Sequence, residues 1–269
     1  MLKKIALVSL AVALGMALQP QSSRAQNFSL SGYEQPQLDD QIEPILQLFG
    51  ALVGTGFVNT ADLHSLAGFD IGARAVIAIV PDEYKGIIPA QPGQPPGPLA
   101  GTDYVPLPFL TASLGLLPNI EVMGRLFRFP IGEDPTRGAI TLVGAGVKYG
   151  VLQLPALPKV MLVGAYHMLF VPEEFDFGTV KVASLKLFAS QSLAIFTVYA
   201  GAGVDRTFLT VQIPDSPNFP GGFEQSFSGT HTHGTVGLTA TIFPLVRVNA
   251  DYNFGKFPSF SAGISVSLR

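Results

Sequence analysis

Cysteine is absent from the 269-residue chain, so disulfides, thiol chemistry and attachment of a lipid through an N-terminal cysteine are excluded. Tryptophan is absent as well, which leaves any aromatic belt to the 20 Phe and 7 Tyr. Charge is scarce. Only 13% of residues are charged, against about 25% in ordinary soluble domains. The acids and bases nearly balance at a net −3, with no basic cluster, which excludes nucleic acid as a partner class. Long apolar runs are missing too: after residue 25 none approaches the 18 or so residues of a transmembrane helix. Yet 48% of the chain is hydrophobic. In lipid every backbone N–H and C=O must be paired internally, so a chain this apolar without a spanning helix points to a closed β-barrel.

The first residues point to export. Lys3 and Lys4 precede an apolar stretch, Ile5 to Leu18, broken only by Ser9 and Gly15. Ser23-Arg24-Ala25 then places small residues at −3 and −1 of a cleavage site, so residues 1–25 read as a secretory signal peptide and Gln26 as the mature N-terminus. Its removal takes Lys3, Lys4 and Arg24 and no acid, leaving 13 bases against 19 acids.

Residues 26–67 form an N-terminal segment, polar at first. Ile45, Leu48, Phe49 and Leu52 then fall at i, i+3, i+4 and i+7, the stripe of a short amphipathic helix over about 44–54. Pro44 suits its first turn, and Gly54 and Gly56 its end. A helix placed there plugs a barrel lumen, lies on the periplasmic interface, or is a packing element without a gating role.

From residue 68 to 269 the period becomes two. Phe260, Ala262, Ile264, Val266 and Leu268 alternate with Ser259, Ser261, Gly263, Ser265 and Ser267. Val246, Val248, Ala250, Tyr252 and Phe254 alternate with Arg247, Asn249, Asp251 and Asn253. Residues 235–242, 69–80, 108–117 and 119–129 repeat the pattern, and 138–149, 159–171, 184–190 and 194–212 also read as strands. The expectation is an all-β, antiparallel transmembrane β-barrel of about 10 strands (range 8–12), as strands of this length suit a bilayer. Tight connections at 117–119 and 244–245 alternate with longer ones at 82–106, 130–137, 172–179 and 213–229. That alternation implies short periplasmic turns, long external loops and both termini periplasmic.

On this register Asp70, Arg74, Glu121, Arg125, Arg247 and Asp251 face the lumen. They either select a solute or fill a narrow bore with salt bridges; the second is favoured, because about eight strands are already filled by side chains. His231 and His233 share one face where a loop enters a strand, but two imidazoles fall short of the three or four ligands of a metal site. Gly144-Ala145-Gly146 and Gly201-Ala202-Gly203 lack a following helix, so they are not dinucleotide loops. No G-x-S-x-G elbow is present. The reading is therefore a non-enzymatic protein of the bacterial outer membrane without metal or cofactor, whose partners are membrane lipid and a small or apolar solute passed or bound in the lumen. The alternative is a sealed structural or surface-interaction barrel acting through its external loops.

Leu48-Phe49-Gly50, Gly56-Phe57-Val58-Asn59-Thr60-Ala61, His64, Gly68-Phe69-Asp70 and Val80-Pro81-Asp82 carry a resemblance. So do Gly146-Val147-Lys148-Tyr149, Leu152-Gln153, Leu157-Pro158, Ala189-Ser190 and Tyr199-Ala200-Gly201-Ala202-Gly203. Over most of 42–205 the chain resembles an uncharacterised family of outer-membrane barrel proteins, a domain of unknown function. Its helix-then-barrel order is distantly similar to that of long-chain fatty acid transporters. The resemblance implies a barrel behind an N-terminal helix and no assigned activity or catalytic residue.

Overall fold

The computed structural model describes residues 35–85, 99, 101–130, 139–170, 179–213 and 223–268; the signal-peptide reading of 1–25 lies outside them. Among the described residues one helix, α1 (Gln35–Gly54), precedes ten strands. These are β1 (Phe69–Ile79), β2 (Tyr104–Leu117), β3 (Ile120–Pro130), β4 (Ala139–Leu152), β5 (Lys159–Phe170), β6 (Thr179–Leu193), β7 (Phe196–Ile213), β8 (Phe223–Phe243), β9 (Val246–Gly255) and β10 (Ser259–Leu268). Each strand pairs antiparallel with its sequence neighbours, and β1 closes on β10 through Phe69↔Leu268 to Ala78↔Ser259. The result is a closed barrel with no free edge.

Residue alternation sets the two faces. Ile71, Ile77, Leu110, Leu114, Val143, Val147, Leu162, Leu185, Leu187, Val198, Val236, Leu238, Val248, Phe260 and Ile264 are exposed on the outside, with comparable residues on every strand. Monomeric soluble proteins rarely expose contiguous apolar patches beyond a few hundred Å². Here the apolar surface runs round the whole barrel.

Strand boundaries differ from the sequence reading. β2 starts inside the expected 82–106 connection, and β8 starts at Phe223 inside the expected 213–229 connection. His231 and His233 therefore lie within β8, buried at 2% and 5% exposure, and not at a strand entrance. Strands β6, β7 and β8 have 15, 18 and 21 residues, well beyond the 9–11 a bilayer needs.

The helix differs more. It begins at residue 35, so Pro44 sits within it and not in its first turn. It also occupies the long-loop end of the lumen. Leu46, Leu48, Phe49, Leu52 and Val53 pack with Val80, Leu99, Val105, Phe227 and Phe257, near the 80–103 and 256–258 connections; Ile45 packs against the same cluster half-buried. Gly50 and Gly54, one turn apart, let α1 approach β7 and β8. A Cβ on Gly50 would lie 3.1 Å from the His231 Cβ, and one on Gly54 would overlap the Asp205 carboxylate. From Gly54 the chain descends through the lumen, aided by Gly56 at φ 68°, and reaches the short-turn end where Ala67 N–H donates to Gly115 O at 2.9 Å. There β1 begins and β10 ends. The described N-terminal segment thus threads the barrel from its long-loop end to its short-turn end; the expected mature N-terminus lies outside the described residues.

Candidate functional site

The descending segment, residues 55–67, has no regular structure, so its backbone groups need partners from the barrel wall. The inward side chains supply them. Arg125 on β3 donates to Val53 O at 2.8 Å, Thr55 O at 2.8 Å and Gly56 O at 2.7 Å, and its guanidinium lies 4.0 Å from the Phe57 ring centroid. Lys186 on β6, 2% exposed, donates to Gly54 O. Both cations meet carbonyls at or just beyond the C-terminus of α1, where the helix leaves acceptors unpaired and carries partial negative charge. Lys186 Nζ lies 3.2 Å from Asp205 Oδ1 and 3.1 Å from His233 Nε2, and Ser184 donates to Asp205 at 2.5 Å. His231 stacks on His233 with centroids 5.3 Å apart.

Further down, Arg74 on β1 donates to Val58 O at 2.9 Å and lies 3.8 Å from Asp251 Oδ2 on β9. Asp251 also accepts from Tyr199 at 2.9 Å and Ser261 at 2.7 Å. Thr239 donates to Asn59 O at 2.5 Å, Gln153 to Ala61 O at 2.9 Å, and Ala61 N–H to Ser190 Oγ at 2.9 Å. Asp70 accepts from Ser265 at 2.9 Å and Asn59 at 3.4 Å. At the short-turn end His64 Nδ1 lies 2.7 Å from Glu121, Lys148 Nζ 2.5 Å from the other Glu121 oxygen, and His64 Nε2 2.9 Å from Ser267.

All six lumen residues read from the sequence are buried on the inward face. Five of them contact the threaded segment or one another; Arg247 forms no ion pair among the described residues. The sequence reading did not place Lys148, Lys186 or Asp205 among the lumen residues. The inward-facing place of Lys148 and Lys186 was open to the period-two pattern, but both lie in strands whose two faces differ little in polarity. The motifs that carried the family resemblance (Phe57 to Ala61, His64, Asp70, Lys148, Gln153, Ser190 and Tyr199) are largely the residues that join segment to wall.

A cavity of about 10 Å³ lies beside the helix end, lined by Phe57, Lys186, Phe188, His233, Thr235 and Asp251 among others, roughly the space of one water. Among the described residues no group of three or more His, Cys, Asp or Glu is placed to hold a metal ion.

A family of unknown function (DUF6588) matches residues 90–268. The chain belongs to this family. The match takes in all strands from β2 to β10 but not α1, the threaded segment or β1. No curated protein matches the sequence. Among solved structures, the chain is similar to the N-terminal β-barrel domain of Pseudomonas aeruginosa OprF, with 11% identity and a TM-score of 0.32 over 76% of this chain and all of that one. It is similar to Ail, the attachment invasion locus protein of Yersinia pestis, with 14% identity and a TM-score of 0.23 over 77% and 99%. It is also similar to the Ralstonia pickettii toluene transporter TbuX, with 10% identity and a TM-score of 0.30 over 83% and 97%.

Proposed function

We propose that this family member is a non-enzymatic outer-membrane barrel, sealed by its own N-terminal segment, that acts as a closed membrane protein presenting its long-loop end to the exterior. The apolar outer band and the export signal in the sequence support the membrane. The carbonyl contacts of Arg125, Lys186 and Arg74 support the seal, and they carry the reading. A bore occupied by α1 and 55–67, with a cavity of only about 10 Å³ beside the helix end, favours the sealed barrel over passage of a small or apolar solute.

A corollary concerns topology. With long loops outside, as is usual for such barrels, α1 begins toward the external side while β10 ends on the periplasmic side.

The test is reconstitution of the mature chain in planar bilayers. Insertion without steady current is expected, and removal of residues 35–66 should open a conducting pore. Steady solute or ion flux through the intact chain would sink the seal, and recovery in the soluble fraction after lysis would sink the membrane reading.

A further inference from the structure

The strand acids whose side chains are described, Asp70, Glu121, Asp205 and Asp251, all face the lumen. Among the described residues, outward-facing strand charges are basic, and all three, Arg128 on β3, Lys181 on β6 and Arg206 on β7, lie toward the long-loop end. Two of the three form a group. Lys181 pairs with Phe208 and Arg206 with Ala183, so the two cations are diagonal neighbours on the outer face, about 7–8 Å apart. On the adjacent strand Thr230 stands opposite Arg206 and Ser228 opposite Phe208, both exposed. Arg206 lies over the Phe208 ring, 5.4 Å from its centroid.

The height of this group is informative. Below it, the outward residues of β7 are Phe196, Val198, Ala200, Ala202 and Val204. Ten residues separate Phe196 from Arg206, about 25 Å along the barrel axis at about 3.3 Å per residue and a tilt near 40°. That equals the height of the apolar band of an outer-membrane barrel, about 25 Å. On β8 the outward side chains change over the same level, from Ile242, Leu238 and Val236 to Thr232, Thr230, Ser228 and Ser226. The two cations therefore sit where the hydrocarbon ends and the headgroups begin.

We propose that Lys181, Arg206, Thr230 and Ser228 form a binding site for a phosphate of a phosphorylated outer-leaflet glycolipid, with its acyl chains lying over Val204, Leu185 and Leu187. Arg206 supplies a planar fork that takes two phosphate oxygens, Lys181 a point charge, and the hydroxyls further donors. No described acid shares this face. The site rests on the membrane reading above, and its test separates the two.

The full mature chain is placed in phosphatidylcholine nanodiscs containing bisphosphorylated lipid A, the same lipid A after dephosphorylation, or phosphatidylglycerol, and retained lipid is counted by native mass spectrometry. Retention of about one bisphosphorylated lipid A per barrel is expected. It should fall at least tenfold on dephosphorylation and in the Lys181→Gln/Arg206→Gln variant, while Lys159→Gln, at the short-turn end, and the charge-conserving Lys181→Arg keep it. Heat-modifiable gel migration verifies that each variant is folded. Equal retention by wild type and the double variant would overturn the site, and equal retention of phosphatidylglycerol would reduce it to non-specific charge attraction. A chain that enters none of these bilayers overturns the membrane reading and the site with it.

Discussion

Replacing Arg125 with Gln tests the seal at its most connected point. The wild-type guanidinium makes three hydrogen bonds, to Val53 O, Thr55 O and Gly56 O, and stacks against Phe57 and Phe109 at 4.0 and 4.2 Å. A hydrogen bond to a charged group contributes about 1.5–3 kcal/mol, but three from one group are not additive. Against them stands the cost of burying a cation, which the substitution removes. Truncating one partner of a buried charged contact costs about 3–5 kcal/mol in balance, because the carbonyls left behind stay buried. At 1.4 kcal/mol per decade, that raises the undocked fraction of α1 roughly 100- to 3,000-fold. The absence of cysteine provides the assay. Ala51, fully buried on α1, is changed to Cys, and its maleimide labelling rate is compared with and without Arg125→Gln in folded, reconstituted protein. The rate should rise by at least two decades while the barrel keeps its heat-modifiable mobility. A rate within threefold of wild type would refute the claim that Arg125 holds the plug.

Gly54→Ala should weaken docking by about 1–3 kcal/mol through overpacking against Asp205, seen as faster labelling at the same cysteine. Gly164→Ala, whose Cβ meets nothing within 4 Å, should leave that rate unchanged. Glu121→Gln should lower stability in a urea titration by about 3–5 kcal/mol by stranding Lys148, whereas Glu121→Leu with Lys148→Met should recover at least half of that loss; equal losses would argue against an ion pair held by the fold. An epitope inserted within residues 26–34 should be detected on intact cells, and one after residue 268 only after permeabilisation; the reverse pattern would invert the topology. Outside the barrel, hydrogen bonds from Lys85 to Asp103 and to Asp82 raise the Lys85 pKa to about 12 and lower that of Asp82. The contribution of Lys85 is thus complete below its ordinary value of 10.5 and lost as pH rises through about 12, and that of Asp82 is complete above 3.8 and lost on acidification. Lys85→Gln should therefore shift the melting temperature equally at pH 6 and pH 9, and a shift that differs between them would refute the pairing.

The ten strands are legible in the sequence because lipid demands one apolar face at period two, and that demand is met from β1 to β10. What was not legible follows from the lumen, which has two halves. At the long-loop end the inward residues are apolar: Val76 and Ala78 on β1, Val105 and Leu107 on β2, Ile140 and Leu142 on β4, Val180 and Val182 on β6. At the short-turn end of the same strands they are Asp70 and Arg74, Thr111 and Ser113, Lys148, and Lys186 and Ser190. The switch tracks the occupant. An α-helix pairs most of its own backbone groups, so a wall around α1 can be apolar; the irregular chain 55–67 does not, so its wall must offer donors and acceptors. In the long-loop half of β6 the phase inverts, with Val180 and Val182 inward and Thr179 and Lys181 outward, so the alternation breaks near 183–185, and the strand reads from 184 and not from 179. Where the outward face leaves the bilayer, as at Ser226 to Thr232 on β8, alternation loses its apolar member, and His231 and His233 look like loop residues. The ten-strand count explains why an occupant is needed at all. With strands about 4.8 Å apart and tilted near 40°, ten give a backbone radius of about 10 Å against about 8 Å for eight. Eight strands are filled by their own side chains, and the extra width, about 4 Å in diameter, admits a slim helix that meets β7 and β8 through Gly50 and Gly54. The glycines of α1 and the cations of β3 and β6 are thus one solution to one problem: a barrel two strands too wide to fill itself, closed by the chain that enters it.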